Sequence, residues 1–486
     1  MRRARSLAWL VLLLALLEPA GAAAQTTDRF GAVDSFYAAD RADELGVRWS
    51  RLMFPWQRVQ RAGPQEWWPA ISDEIINDEV RRGRNLVGVL VNTPDWASSG
   101  KGRTLTSPPK GLDLPIDDPS NYWAQYVRRS AAAYRGRIDT WVVWNEPDVS
   151  DTEHPGYTWS GSVEEFYRLQ KVAYLAARRG NPQAKVLLPG LTYWWDKRFE
   201  RRQYFERLLE VALKDPEGPA NGWFFDAAVL QLYNEPQLLY DVPHRYRELM
   251  QEHGIDKPIW INETNVAPWD DPDRPLTRAH WRANGAEQSS YLIQAYALAL
   301  AAGVERISIY KLRDEAEWRF GWESYGVVRA DRSVRPSFRA LQMIHRVFAP
   351  ARGGTVRDER GARVVSLPTA DGRITVLWAR VPRAVVARLQ AGATAASVCT
   401  RDGECRTLEP ADGWYRFDLP AATHNTAPGR PDVYQIGGAP FVVVERGPTG
   451  DAAVEADDGA PAPAVDAFSA LARALEFVRQ ASPAFR

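Results

Sequence analysis

Two glutamates stand out by what precedes them. Trp141-Val142-Val143-Trp144-Asn145-Glu146-Pro147 and Pro258-Ile259-Trp260-Ile261-Asn262-Glu263-Thr264-Asn265 are apolar, strand-like runs that reach an Asn-Glu pair. Two carboxyl groups at strand ends can divide the work of breaking a glycosidic bond. One, protonated, gives its proton to the leaving oxygen, and the other, ionised, attacks the anomeric carbon from the opposite face. They must differ in proton affinity. Double displacement sets them about 5 to 5.5 Å apart, whereas more than about 6.5 Å leaves room for a water and inverts the centre. Asn145, directly before the first glutamate, is placed to donate to a sugar 2-hydroxyl.

The elements that would carry these residues alternate. β-Branched runs fall at Phe30 to Val33, Val47 to Phe54, Leu86 to Val91, Thr140 to Trp144, Lys185 to Leu188, Ala227 to Tyr233, Pro258 to Asn262 and Arg306 to Tyr310. Helical periodicity lies between them, for example at Asn121 to Tyr134, Val163 to Arg179, Glu287 to Ala302 and Pro336 to Phe348. Eight strand-then-helix units predict a (β/α)8 barrel with enlarged loops. A doubly wound open sheet competes, but no Gly-rich turn follows the first strand. In a barrel, chemistry collects where strands end; Glu146 follows the fourth strand and Glu263 the seventh. After Phe348 the helical period gives way to short strands and turns, which predicts an antiparallel β-sandwich. The expected organisation is a leader at 1–24, a barrel at 25–348, a sandwich at 349–446, and a linker with a short amphipathic tail at 447–486.

Trp-Asn-Glu-Pro on the fourth strand with a second Glu closing the seventh resembles the clan of retaining (β/α)8 glycoside hydrolases. The appended sandwich, with Gly46-Val47-Arg48-Trp49-Ser50-Arg51 and Thr93-Pro94-Asp95-Trp96-Ala97, is most similar to family 39 and its relatives, with family 5 second. That resemblance implies Glu146 as acid/base and Glu263 as nucleophile. It also implies Arg51, at the end of the second strand, as the charge that keeps Glu263 ionised, and Tyr233 as its hydrogen-bond donor. The chain departs from the pattern at Gln231, where many relatives carry His in a His-x-Tyr pair. A second Asn-Glu-Pro, at 234–236, lacks the Trp-x-x-Trp strand and reads as loop.

Tryptophan is abundant, at 20 residues. Flat aromatics with a polar edge suit the apolar faces of sugars. Trp56, Trp96, Trp159, Trp194, Trp195, Trp269, Trp318 and Trp322 all follow strands. Of these, Trp96, Trp159, Trp194, Trp269 and Trp322 are the candidate sugar-stacking residues, each with packing as an equal alternative. Trp141 and Trp144 read as core. Lys311, after the eighth strand, is a weaker site candidate.

Lys plus Arg and Asp plus Glu are equal at 61 each, so nothing favours a polyanion, and nucleic acid is not an expected partner. Arg2, Arg3 and Arg5, the apolar Leu7 to Leu17 and Ala22-Ala23-Ala24 resemble a cleavable secretory leader too short to span a bilayer, so a secreted or periplasmic protein without a stable membrane anchor is expected. Cys399 and Cys405 flank an Asp402-Gly403 turn signal, which suits a disulfide in an oxidising compartment, with two free thiols as the alternative. The six His show no metal-ligand spacing, and no cofactor is expected. The expected partner is a β-linked poly- or oligosaccharide, with endo action favoured. Exo action, transglycosylation and a carbohydrate-binding matrix protein remain open, as does oligomeric state.

Overall fold

The computed structural model describes residues 28–275, 283–317, 324–424, 434–447 and 450–459. The expected leader, Trp318, Trp322 and residues 460–486 of the expected linker and amphipathic tail lie outside them.

Nine parallel strands form the first sheet: β1 (Phe30–Val33), β2 (Trp49–Pro55), β3 (Asn85–Val91), β4 (Thr140–Val143), β5 (Lys185–Leu187), β6 (Gly190–Leu191), β7 (Ala228–Tyr233), β8 (Ile259–Asn265) and β9 (Arg306–Ile309). Their order is β5-β4-β3-β2-β1-β9-β8-β7-β6. β5 and β6 are two halves of one stave. The first pairs with β4 and the second with β7, and a bridge from Asn145 to Gly190 closes the ring. The result is a (β/α)8 barrel. Its staves are apolar runs because both faces are covered, by the barrel interior and by the helices outside.

Helices follow the strands, among them Tyr122–Ala133, Val163–Gly180, Leu238–Gln251, Gly285–Ala301 and Pro336–Phe348. Ser162 with Glu165 and Asn284 with Glu287 form capping boxes that satisfy orphan amides at two helix starts. Gly285–Ala301 is buried along almost its whole length. Its run Tyr291-Leu292-Ile293-Gln294-Ala295-Tyr296-Ala297-Leu298 is buried on every side and apolar but for Gln294, because it has the barrel on one flank and a second domain on the other.

That domain is an antiparallel sandwich. β10 (Thr355–Glu359), β11 (Ala362–Pro368), β12 (Gly372–Ala379), β13 (Val385–Gln390), β14 (Ala396–Cys399), β15 (Cys405–Leu408), β16 (Trp414–Leu419), β17 (Phe441–Arg446) and β18 (Val454–Asp457) form sheets ordered β10-β11-β12-β17-β14-β15 and β16-β13-β18. Alternate residues of the larger sheet serve different cores. Val365, Leu367, Ile374 and Val376 join the barrel core, whereas Val364, Leu377 and Val443 meet Leu389, Tyr415 and Phe417 of the smaller sheet. Gln294 ties the domains together by donating to the carbonyls of Gly437 and Gly438. Cys399 and Cys405 pair in register across the β14–β15 hairpin and form the disulfide.

One expectation is corrected. Residues 447–465 read as structureless linker from their Gly, Ala and Pro content, yet Val454–Asp457 pairs with β13 from Leu389 to Val386. An edge position needs little apolar content of its own, and only Val454 of that strand is buried.

Candidate active site

Asn145 and Glu146 leave β4 on a constrained backbone. Trp144 and Glu146, on either side of Asn145, have φ of 71° and 45°, a region that costs a non-glycine residue free energy and clusters at functional sites. The kink is held from several sides. The Trp144 backbone amide donates to Leu90 and its indole to Thr158, the Glu146 amide donates to Gly190 at 3.1 Å, and the Thr158 hydroxyl donates to the Asn145 carbonyl.

Glu263 reaches the same space by a different device. The β7–β8 register shifts after Leu230, which faces Ile261, so that Gln231 faces Glu263 and Tyr233 faces Asn265. The extra residue, Asn262, is a bulge that re-aims the residues after it. β8 therefore runs past Glu263 to Asn265, whereas the sequence pattern ends it at Asn262.

The bulge delivers Glu263 to three partners. Arg51, 3% exposed on β2, meets Oε1 at 2.8 Å. Gln231 Nε2 donates to the same oxygen at 3.0 Å, and the Tyr233 hydroxyl donates to Oε2. Burial and the charge of Glu263 push the Tyr233 phenol well above its ordinary value, so it stays a donor. Arg51 Nη2 and Gln231 Nε2 also converge on Asn145 Oδ1, at 2.6 and 2.8 Å. With its oxygen fixed by two donors, the Asn145 amide nitrogen makes no hydrogen bond among the described residues and is left to donate.

Glu146 is treated oppositely. Among the described residues its carboxyl makes no hydrogen bond or ion pair. Burial first, then the charges of Glu263 and Asp148, push it well above the usual carboxylate range, against a smaller opposing effect of Arg51. The surroundings thus favour a protonated Glu146 near a Glu263 that is paired with a guanidinium, an asymmetry that suits acid-assisted displacement.

The tryptophans separate into two groups. Trp194, opening the short helix Trp194–Arg198 after β6, and Trp269, on the loop after β8, are 37% and 42% exposed. Trp159 is 3% exposed, bonds Ser162 through its indole and packs edge-on against Trp144 and Phe166, so its expected place on the sugar face is corrected to packing. Trp96 likewise bonds the Gln60 carbonyl and meets Trp56 and Tyr122 edge-on. Trp195 is buried under Trp194, and Trp141 and Trp144 are core. Glu235, of the second Asn-Glu-Pro, lies on a loop docked to the sandwich, where Gln435 donates to it.

Sequence reasoning missed Asp34. It directly follows β1, and burial pushes its carboxyl up to about 6 although Arg51 and Lys311 pull it down. Nothing in the short run Phe30 to Val33 marks the next residue as part of a site.

Fold and site together define a (β/α)8 barrel with two cleft carboxyls of opposed environment and an appended β-sandwich. No protein-family model matches the chain, and no curated protein matches its sequence. Among solved structures it is similar to a family 39 glycoside hydrolase from Bacteroides cellulosilyticus WH2, with a TM-score of 0.63 and 14% identity over 86% of this chain and 81% of that one. It is also similar to a family 30 endoxylanase from Clostridium papyrosolvens C71, with a TM-score of 0.54 and 13% identity over 87% and 97%. A monomeric β-xylosidase from Caulobacter crescentus CB15 gives a TM-score of 0.53 and 13% identity over 87% and 96%. The chain therefore shares its architecture with glycoside hydrolases.

Proposed function

We propose that the protein is a retaining glycosidase that cleaves β-linked poly- or oligosaccharide by double displacement. The observation that carries this reading is the contrast between Glu263, held by a guanidinium, an amide and a phenol, and Glu146, half-buried with no such partner among the described residues. Glu263 attacks the anomeric carbon, and Glu146 protonates the departing oxygen. Glu146, now ionised, then takes a proton from water as that water displaces Glu263. Asn145 holds the 2-hydroxyl, a contact that strengthens as positive charge develops at the anomeric carbon. No step calls for a metal or cofactor.

Two similar structures are a β-xylosidase and an endoxylanase, so the shared fold is compatible with exo and endo action alike. The exposed rings of Trp194 and Trp269, on the connections after different staves, favour an extended groove and endo action. The leader-like N-terminus and the Cys399–Cys405 disulfide favour export. A purely carbohydrate-binding role would require no second carboxyl.

Proton NMR of the first product released from an aryl β-glycoside tests the reading. A β-configured sugar that later mutarotates is expected. An α-configured first product would mean inversion, and no turnover of aryl glycosides or polysaccharides would leave the binding role.

A further inference from the structure

Lys311 just after β9, Asp34 directly after β1 and Arg51 within β2 come level on neighbouring staves of the barrel. Val33 pairs with Arg51 and Ala32 with Ile309, and the Asp34 amide donates to the Arg51 carbonyl at 3.1 Å. Asp34 has φ of 53°, in the left-handed region that aspartate tolerates better than most non-glycine residues. Both flanking cations are already engaged. Arg51 binds Glu263 and Asn145, and Lys311 pairs with Glu315. Asp34 lies near enough to feel both charges, yet is in ion-pair contact with neither. Among the described residues its carboxylate accepts no hydrogen bond, although the residue is partly open to solvent. An acceptor without a donor, beside the attacking carboxylate, is poised for a hydroxyl of the substrate.

Resting on the glycosidase reading above, we propose that Asp34 selects the sugar attacked by Glu263 by accepting from its C3 hydroxyl, while Lys311 donates to the oxygen on C4. The assignment follows the order of residues round the barrel. Asn145, held by Arg51, serves C2, and the next positions round the barrel beyond Arg51 are Asp34 and then Lys311. The two contacts differ in what they tolerate. A carboxylate requires a free hydroxyl, so chains linked through C3 are excluded. An ammonium donates as well to a linked oxygen, so chains linked through C4 fit. The substrate class is therefore a β-linked chain joined through C4, with C3 free.

The test uses Asp34→Ala and the near-isosteric Asp34→Asn, with rates expressed per active site titrated by a C2-fluorinated glycosyl fluoride that labels Glu263. The substrate is whichever of dinitrophenyl β-xyloside and β-glucoside the wild type cleaves faster, alongside its C3-deoxy analogue. Asp34→Ala should lower kcat/KM on the parent glycoside by about 10- to 100-fold, and Asp34→Asn by less. Removing the C3 hydroxyl should cost the wild type a similar factor, and Asp34→Ala acting on the deoxy analogue should lose little more than either change alone. Losses that multiply, with Glu263 still labelled, would overturn this inference and leave the glycosidase reading intact. A wild-type protein that is not labelled on Glu263 would overturn both.

Discussion

One amide nitrogen of Gln231 donates to Asn145 at 2.8 Å and to Glu263 at 3.0 Å, so a neutral side chain joins the residue before Glu146 to Glu263. Gly190 is what lets it fit: a Cβ there would lie 2.5 Å from that nitrogen. Gly190→Ala is expected to push the amide off both partners. It should lower kcat/KM on the order of 100-fold, as displaced catalytic groups do, and cost about 1 to 3 kcal/mol of stability by overpacking. Steady-state kinetics with a urea melt check both, and unchanged kinetics would show that the bridge is dispensable.

The second prediction concerns Asp148, which accepts from the Thr192 amide and hydroxyl, both at 2.8 Å, and is pushed up to about 6 by burial. Above that pH its charge adds to that of Glu263 in keeping Glu146 protonated. Asp148→Asn keeps an acceptor and removes the charge. A like charge removed makes Glu146 a stronger acid, so the alkaline limb of kcat/KM should move to lower pH. A limb that stays in place while the overall rate falls would assign Asp148 to loop support alone.

The third prediction is about stability. His345 stacks on Phe30 with ring centroids 4.8 Å apart, and burial lowers it from 6.5 to about 4. Its folded value lies below its unfolded value, so the native state binds this proton less readily. Stability from this source is complete above about pH 6.5 and falls as pH drops towards 4, by about 3 kcal/mol in all. His345→Phe should therefore narrow the difference in Tm between pH 7 and pH 4.5. An unchanged difference would locate the acid sensitivity elsewhere.

Much of this architecture is legible in the sequence because barrel staves are short β-branched runs and the helices between them carry their own start signals. Pro336 opens and Phe348 closes the last barrel helix in both sequence and structure. Asn145, Glu146, Arg51, Gln231, Tyr233 and Glu263 all come together because strand ends share one face. What sequence does not decide is which way a loop ring turns. Trp159 and Trp194 both follow strands, but one is fixed inside by Ser162 and Phe166, and the other lies over Trp195 with its outer side free. Asp34 escaped notice because the role proposed for it depends on level neighbours from β2 and β9, which are distant in the chain. The strand Val454–Asp457 escaped because an edge strand can borrow its stability from the partner it joins.

The central claim, that Glu263 attacks and Glu146 transfers protons, is tested most directly by azide rescue of the two alanine variants on a glycoside with a good leaving group. Glu146→Ala leaves the nucleophile and lacks the base, so azide takes the place of activated water on the glycosyl-enzyme and should give the β-glycosyl azide. Glu263→Ala lacks the nucleophile, so azide should enter from that face and give the α-glycosyl azide. The opposite pair of configurations would contradict the assignment.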